Sequence, residues 1–121
     1  MPKESFAKNR LRSIGFAFKG LFLLIRTEAS IKIQFFIALL MTAVGFYLEI
    51  SITEWCIQCL AIGMVMAVEG MNTGIEKLAD FVQPNYDKKI GLIKDVSAGA
   101  VMAVSLMAGI VGLLIYIPKL L

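Results

Sequence analysis

An all-α integral membrane fold, with an N-terminal amphipathic interfacial helix and three transmembrane helices, follows from composition, the spacing of the apolar runs and the placement of charge. The chain has 121 residues, of which 59% are hydrophobic and 17% charged. With a mean hydropathy of +0.81, it lies well outside the usual soluble range. Crossing about 30 Å of hydrocarbon takes roughly 20 apolar residues, so about four or five spans is the ceiling and one domain is all the length allows. Three such runs are visible.

The first element, about residues 5–27, repeats Ala7, Leu11, Ile14, Phe18, Leu21 and Ile25 at helical spacing, while Lys8, Arg12, Lys19 and Arg26 gather on another face. Such a helix lies in the interface. It serves either as a simple anchor, the commoner use, or as a wall of a site on the membrane surface. The first span, about 31–50, reads IKIQFFIALLMTAVGFYLEI. The second, about 55–78, opens with fourteen uncharged residues from Trp55 to Val68. The third, about 96–117, interrupts its apolar run only with Ser97 and Ser105, and Pro118 is expected to end it. No cleavable signal peptide is expected, because Lys8, Arg10, Arg12, Lys19 and Arg26 break up the first thirty residues.

Residues 1–32 carry seven Lys or Arg, the link 49–54 carries none, and residues 77–95 carry Lys77, Lys88, Lys89 and Lys94. By the positive-inside rule the N-terminus and the second loop are cytoplasmic. The formal charge of +3 is therefore concentrated on one side, where it attracts anionic lipid or a nucleotide, although topology alone also demands it. Cys56 and Cys59 form a C-x-x-C. At the outer end of an apolar helix, with no His anywhere in the chain, the pair reads as packing rather than as a redox or metal site.

The stretch VEGMNTGIEKLAD, residues 68–80, places acids where an oily helix should still be in its bilayer. At 100° per residue, Glu69, Asn72, Glu76 and Asp80 project at about 0°, 300°, 340° and 20°, on one stripe. Counted from Trp55, Glu69 lies about 21 Å along the helix, inside the hydrocarbon, and Glu76 reaches the headgroups. A central acid costs about 2.5–3.5 kcal/mol on insertion scales, so function is the default reading for Glu69. Gly70 and Gly74 form a G-x-x-x-G, which lets helices approach while Asn72 bonds across the contact. Because three short helices enclose a polar cavity poorly, a homo-oligomer with sites at subunit borders is favoured.

Without His, a general base must be a carboxylate or a Lys, and Ser-His or Cys-His nucleophiles are excluded. Carboxylates with a nearby Lys suit Mg-assisted phosphoryl transfer. Glu69 and Glu76 are about 10.5 Å apart along the axis, too far to share one metal, so they have separate jobs. For that chemistry the deeper Glu69 would meet a lipid hydroxyl, and Glu76, with Glu28 of the TEAS segment, would hold the metal. Glu28 alone reads as a helix-start charge unless something pairs with it. Lys94 and Asp95, at the start of the third span, complete the rim. No G-x-x-x-x-G-K-[ST] and no protein-kinase motif set occurs.

EGMNTGIEKLAD followed by IKDVSAGAV, with FKG at 18–20 and Glu28 ahead of the first span, resembles the signature of the small prokaryotic diacylglycerol kinase family, three-span lipid kinases. The likeness covers nearly the whole chain. It implies a homotrimer in the bacterial cytoplasmic (inner) membrane with the N-terminus cytoplasmic, active sites between subunits, Mg²⁺ as cofactor, Mg-ATP as donor, a lipid substrate and no nucleic-acid partner. Carried over to matching positions, Glu69 resembles the general base, and Glu28 and Glu76 the metal carboxylates. Lys94 and Asp95 resemble nucleotide contacts, Asn72 the amide that orders the site, and Glu69 with Ala98 the lipid-substrate contacts.

Some positions depart from the pattern. Phe16 stands where many relatives carry Tyr; it keeps the stacking surface for a nucleotide and loses a hydroxyl. The Arg expected to reach phosphate is Arg10 or, in strict register, is replaced by Asn9. Asn85, Tyr86 and Asp87 replace a Glu-x-His, leaving Tyr86 as the nucleotide contact from that loop. The resemblance puts diacylglycerol first as substrate, giving phosphatidic acid, with undecaprenol close behind on the likeness of ISITEW and GLLIYIPKL to undecaprenol kinases. A non-catalytic assembly protein, joined through Glu69 and Asn72, is the reading from another class. An ion pathway is disfavoured, because no charged residue continues from Glu69 toward Trp55.

Overall fold

The computed structural model describes residues 5–121. Lys3, part of the N-terminal charge, lies outside the described residues. The described residues fold into four helices: α1 (Phe6–Thr27), α2 (Ala29–Tyr47), α3 (Ile52–Val82) and α4 (Lys88–Leu120). Three of them, α2, α3 and α4, are long and apolar enough to cross a membrane, which makes this an all-helical, multi-pass membrane protein. Large apolar side chains such as Phe36, Leu40, Leu106 and Leu113 stand exposed along them, an arrangement that water would punish and hydrocarbon does not.

Local chemistry sets the helix ends. Ser5 caps α1 by accepting from Lys8 N–H at 3.2 Å. A single residue, Glu28, separates α1 from α2, with extended backbone. The turn into α3 carries Glu49 at φ 53, in the left-handed region. There Ser51 and Glu54 form a reciprocal capping box, each side chain satisfying the other's backbone N–H. This box starts α3 at Ile52, ahead of the Trp55 start expected from hydropathy, because the signal is one of hydrogen bonding rather than of apolarity. At α4 the cap is Asp87, which accepts from Lys89 and Ile90 N–H.

Two sequence expectations are corrected here. Pro118 does not end α4: the helix runs through it to Leu120, and Leu121 N–H still bonds Ile117 O at 3.2 Å. Pro118 lacks one donor but leaves the neighbouring bonds in place, a tolerable loss in a last turn. Lys94 and Asp95 do not sit at a helix start, because α4 begins at Lys88. They lie nearly two turns inside it, where the helix dipole no longer explains the acid.

Helix α3 is the middle element, packing against both α2 and α4, while α1 packs on α2. Ile50, Ile115 and Tyr116 form a small apolar cluster with Met41, Val44, Leu48, Trp55 and Val111 around it. A polar link sits beside it. Tyr116 donates its hydroxyl to Gln58 Oε1, and Gln58 Nε2 donates to the Met41 carbonyl at 3.3 Å, joining all three spans. Lys119 pairs with Glu54 at 3.1 Å at the same end. Gly45 lets Trp55 lie against α2: a Cβ there would stand 2.8 Å from the indole Cη2 and 3.1 Å from Ile50 Cδ1. Trp55 is also held by Phe46, ring centroids 4.7 Å apart. Gly45→Ala is therefore expected to destabilise the fold by about 1–2 kcal/mol through overpacking, despite the better helix propensity of Ala. Denaturant titration in detergent micelles checks this; an unchanged midpoint would show that the Trp55 ring moves freely.

This packed end also sets the level of the other. Helix α3 has 31 residues and α4 has 33, against 19 in α2. At 1.5 Å per residue these are about 46, 50 and 28 Å. With the helices tied level at the Glu54 end, the excess length of α3 and α4 projects beyond α2 at the opposite end, and that end carries the acids.

Candidate active site

Along α3 the stripe expected from helical spacing is present, and it is graded in exposure. Glu69 is 8% exposed and Asn72 8% exposed, whereas Glu76 and Asp80 are exposed. Counted from Ile52, Glu69 lies about 26 Å along the axis and Glu76 about 36 Å, one on each side of the limit of a 30 Å hydrocarbon layer. Four of the side chains buried on α3 are polar: Gln58, Glu69, Asn72 and Thr73. In this chain the middle helix turns its polar face inward, the reverse of a soluble helix, because the solvent outside is lipid.

Asn72 joins the two depths. Its Nδ2 donates to Glu76 Oε1 at 3.2 Å, which leaves the other oxygen of Glu76 free to accept. Asn72 Oδ1 is buried and has no hydrogen-bond partner among the described residues. A buried amide oxygen without a donor is costly, so this oxygen stands ready to accept a hydrogen bond. The amide bonds within its own helix, one turn on, rather than across a G-x-x-x-G contact. Gly70 is covered instead by α1: a Cβ there would stand 3.1 Å from Leu24 Cδ1, while the Cβ position of Gly74 is open.

Glu28 does find a partner. Lys77 Nζ lies 3.5 Å from Glu28 Oε1, so the α1–α2 junction is tethered to the turn of α3 that carries Glu76. Being exposed on the lysine side, this pair is worth at most about 1 kcal/mol; its significance is placement. Among the described residues no three His, Cys, Asp or Glu side chains converge to form a protein-only metal cage. Mg²⁺ needs none, since it takes one or two carboxylates and completes its shell with phosphate oxygens and water. Glu76, with one oxygen oriented by an amide and one free, and Glu28 on the adjoining junction are hard oxygen donors that fit this pattern.

Across the turn 83–87, Lys94 donates to Asp80 Oδ1. These two side chains line a small basin of about 130 Å³ with Tyr86, Asp87 and Gly91. Tyr86 is 91% exposed and lies over Gly91, offering a free ring face. Asp95 and Ala98 are exposed on α4 and line neither this basin nor the cavity described next. Arg10 lies over the Phe6 ring at 5.1 Å. Arg10 and Phe16 are about 21 and 12 Å of helix rise from Leu24, where α1 meets α3, so one chain does not bring them to the stripe.

A larger cavity, about 400 Å³, lies between α2, α3 and α4, among Gln34, Met41, Gln58, Val65, Ser105 and Tyr116. Gln34 Oε1 is buried there without a hydrogen-bond partner among the described residues. The cavity is lined by no carboxylate, Lys or Arg, the residues that would hold a metal or a phosphate. Sequence reasoning did not find the Gln58–Tyr116 link, since Tyr116 reads as one more apolar residue, nor the Asp80–Lys94 pair, whose members are fourteen positions apart. The capping box Ser51-x-x-Glu54 was legible as a pattern.

The fold and the stripe define a class, that of multi-pass helical membrane proteins with buried and rim carboxylates on one span, and comparison with known proteins narrows it. The profile described as prokaryotic diacylglycerol kinase matches residues 15–116. An undecaprenol kinase of Bacillus subtilis is 35% identical over 109 residues, covering 90% of this chain and 89% of the relative. A diacylglycerol kinase of Synechocystis is 28% identical over 116 residues, covering 95% of this chain and 66% of that longer relative. The chain belongs to the prokaryotic diacylglycerol kinase family, which makes it a lipid kinase by class.

Proposed function

We propose that the protein transfers the γ-phosphoryl group of Mg-ATP to the primary hydroxyl of undecaprenol, giving undecaprenyl phosphate, as a homotrimer in the bacterial inner membrane with its N-terminus in the cytoplasm. The observation that carries this reading is the vertical order on α3: a buried Glu69 below an exposed Glu76, with the Asn72 amide between them. Glu69 takes the proton of the lipid hydroxyl as its oxygen bonds to the γ-phosphorus. The bond from that phosphorus to the bridging oxygen breaks, and ADP leaves. Asn72 orders the site by donating Nδ2 to Glu76 Oε1. Glu76 and Glu28 would hold Mg²⁺, which would supply positive charge to neutralise the phosphates. Lys94 and Asp95 contact the nucleotide, with Tyr86 against the base or ribose, and Ala98 keeps the lipid side of α4 smooth.

The small core of the single chain supports assembly into a trimer, and sites between subunits account for Arg10 and Phe16, which their own chain leaves distant. The uncharged cavity between the spans supports a substrate with a long hydrocarbon tail. Undecaprenol is placed ahead of diacylglycerol because the undecaprenol kinase is the more similar of the two relatives and is matched over nearly its whole length. Diacylglycerol remains the second reading, favoured by the Synechocystis relative.

Phosphate transfer from labelled ATP, with the purified protein in mixed micelles offered each lipid with and without Mg²⁺, tests this. Mg-dependent labelling of undecaprenol in preference to diacylglycerol is expected. Preference for diacylglycerol moves the reading to the second substrate, and no labelling of either by assembled protein overturns both.

A further inference from the structure

Resting on the kinase reading, we propose that Asp80 is a positioning residue: it holds the Lys94 ammonium at the mouth of the 83–91 basin, so that the nucleotide meets a cation already in place. Lys94 Nζ donates to Asp80 Oδ1, and the two side chains are 36% and 63% exposed. Both line the basin together with Gln83, Tyr86, Asp87 and Gly91. The pair joins the last turns of α3 to the first turns of α4 across the connecting segment.

No other carboxylate does this for Lys94 among the described residues. Asp87 is engaged by the backbone N–H groups of Lys89 and Ile90, and Glu76 is engaged by Asn72. Lysine carries a compact charge on a flexible four-carbon stem, so an unheld Lys94 samples many positions and must be frozen when phosphate arrives. Asp80 freezes it beforehand. The pairing also tempers the rim's charge: Asp80 and Asp87 both line the basin, and an unneutralised Asp80 would repel a polyphosphate. Because the pair is exposed and screened, its effect is modest and saturable by salt.

The expected result for Asp80→Asn is an increase of about fivefold in KM for Mg-ATP, with kcat within about twofold of the parent and KM for the lipid unchanged. Asp80→Glu, which restores the charge one methylene further out, should recover most of the loss. Binding of a fluorescent ATP analogue with Mg²⁺ gives a second readout that needs no turnover. In a double-mutant cycle, Asp80→Asn should weaken binding in the parent and do nothing further in Lys94→Ala. Equal losses in both backgrounds, or a lower KM in Asp80→Asn, would overturn the proposal. A parent protein that phosphorylates lipid normally while Asp80→Asn matches it in every constant overturns this inference alone. A parent that neither binds the analogue nor phosphorylates lipid overturns the kinase reading and this inference with it.

Discussion

Glu69→Gln is expected to lower lipid phosphorylation by about 10²–10⁴-fold, the usual weight of a general base, while the assembled protein and its Mg-ATP binding persist. The substitution is nearly isosteric, and the amide retains hydrogen-bonding capacity, so any purely structural role survives it. What disappears is the ability to accept a proton. Glu69 is 8% exposed, and it takes no hydrogen bond or ion pair among the described residues. A carboxylate left unpaired at hydrocarbon depth is disfavoured in a protein that does not use it. Replacing it with an uncharged amide should therefore leave stability unchanged or improved, so that a loss of turnover reports lost chemistry rather than lost assembly. Initial rates in mixed micelles, read beside size-exclusion profiles and denaturant midpoints, separate the two. Retained turnover would remove Glu69 as the base and revive the non-catalytic assembly reading.

Glu76→Gln is expected to weaken apparent Mg-ATP affinity by about 10–100-fold, the scale on which loss of oriented oxygen donors acts, with a rise in the Mg²⁺ needed for half-maximal rate. The geometry behind this is specific. One oxygen of Glu76 is held by Asn72 Nδ2 at 3.2 Å, and the side chain stands at the rim. Gln keeps an oxygen for that amide but loses the charge that binds a hard cation. The rate measured against free Mg²⁺ at fixed ATP checks it. Unaltered metal dependence would take Glu76 out of the metal shell and leave its role as the partner of Asn72.

The stripe itself was legible because a helix is periodic: once 68–80 is helical, the angles of Glu69, Asn72, Glu76 and Asp80 follow without knowledge of any neighbour. Its gradation was legible in part, since length along a helix converts to depth in a bilayer. Contacts between helices were not. Lys94 pairs with Asp80 and Lys77 with Glu28, although spacing along the chain ranks neither above other acid–base combinations. The Pro118 expectation failed for a related reason: a proline forbids one hydrogen bond, and whether a helix tolerates that loss depends on where its end stands. Tyr116 was read through its ring, and its hydroxyl acquired meaning only when α4 brought it to Gln58.

By itself the sequence determined that this is a helical membrane protein, where its apolar runs lie, that no histidine chemistry is available, and which face of α3 bears acids. These properties depend on composition and on the repeat of a single helix, which are local. Only the tertiary structure decided that the spans are tied level at the Gln58–Tyr116 end, that the extra length of α3 and α4 therefore emerges at the other, and that Asn72 has a buried oxygen unsatisfied among the described residues, beneath Glu76. Those depend on how helices meet, and in a bilayer the meeting is governed by a few small residues and polar bonds rather than by bulk hydrophobicity.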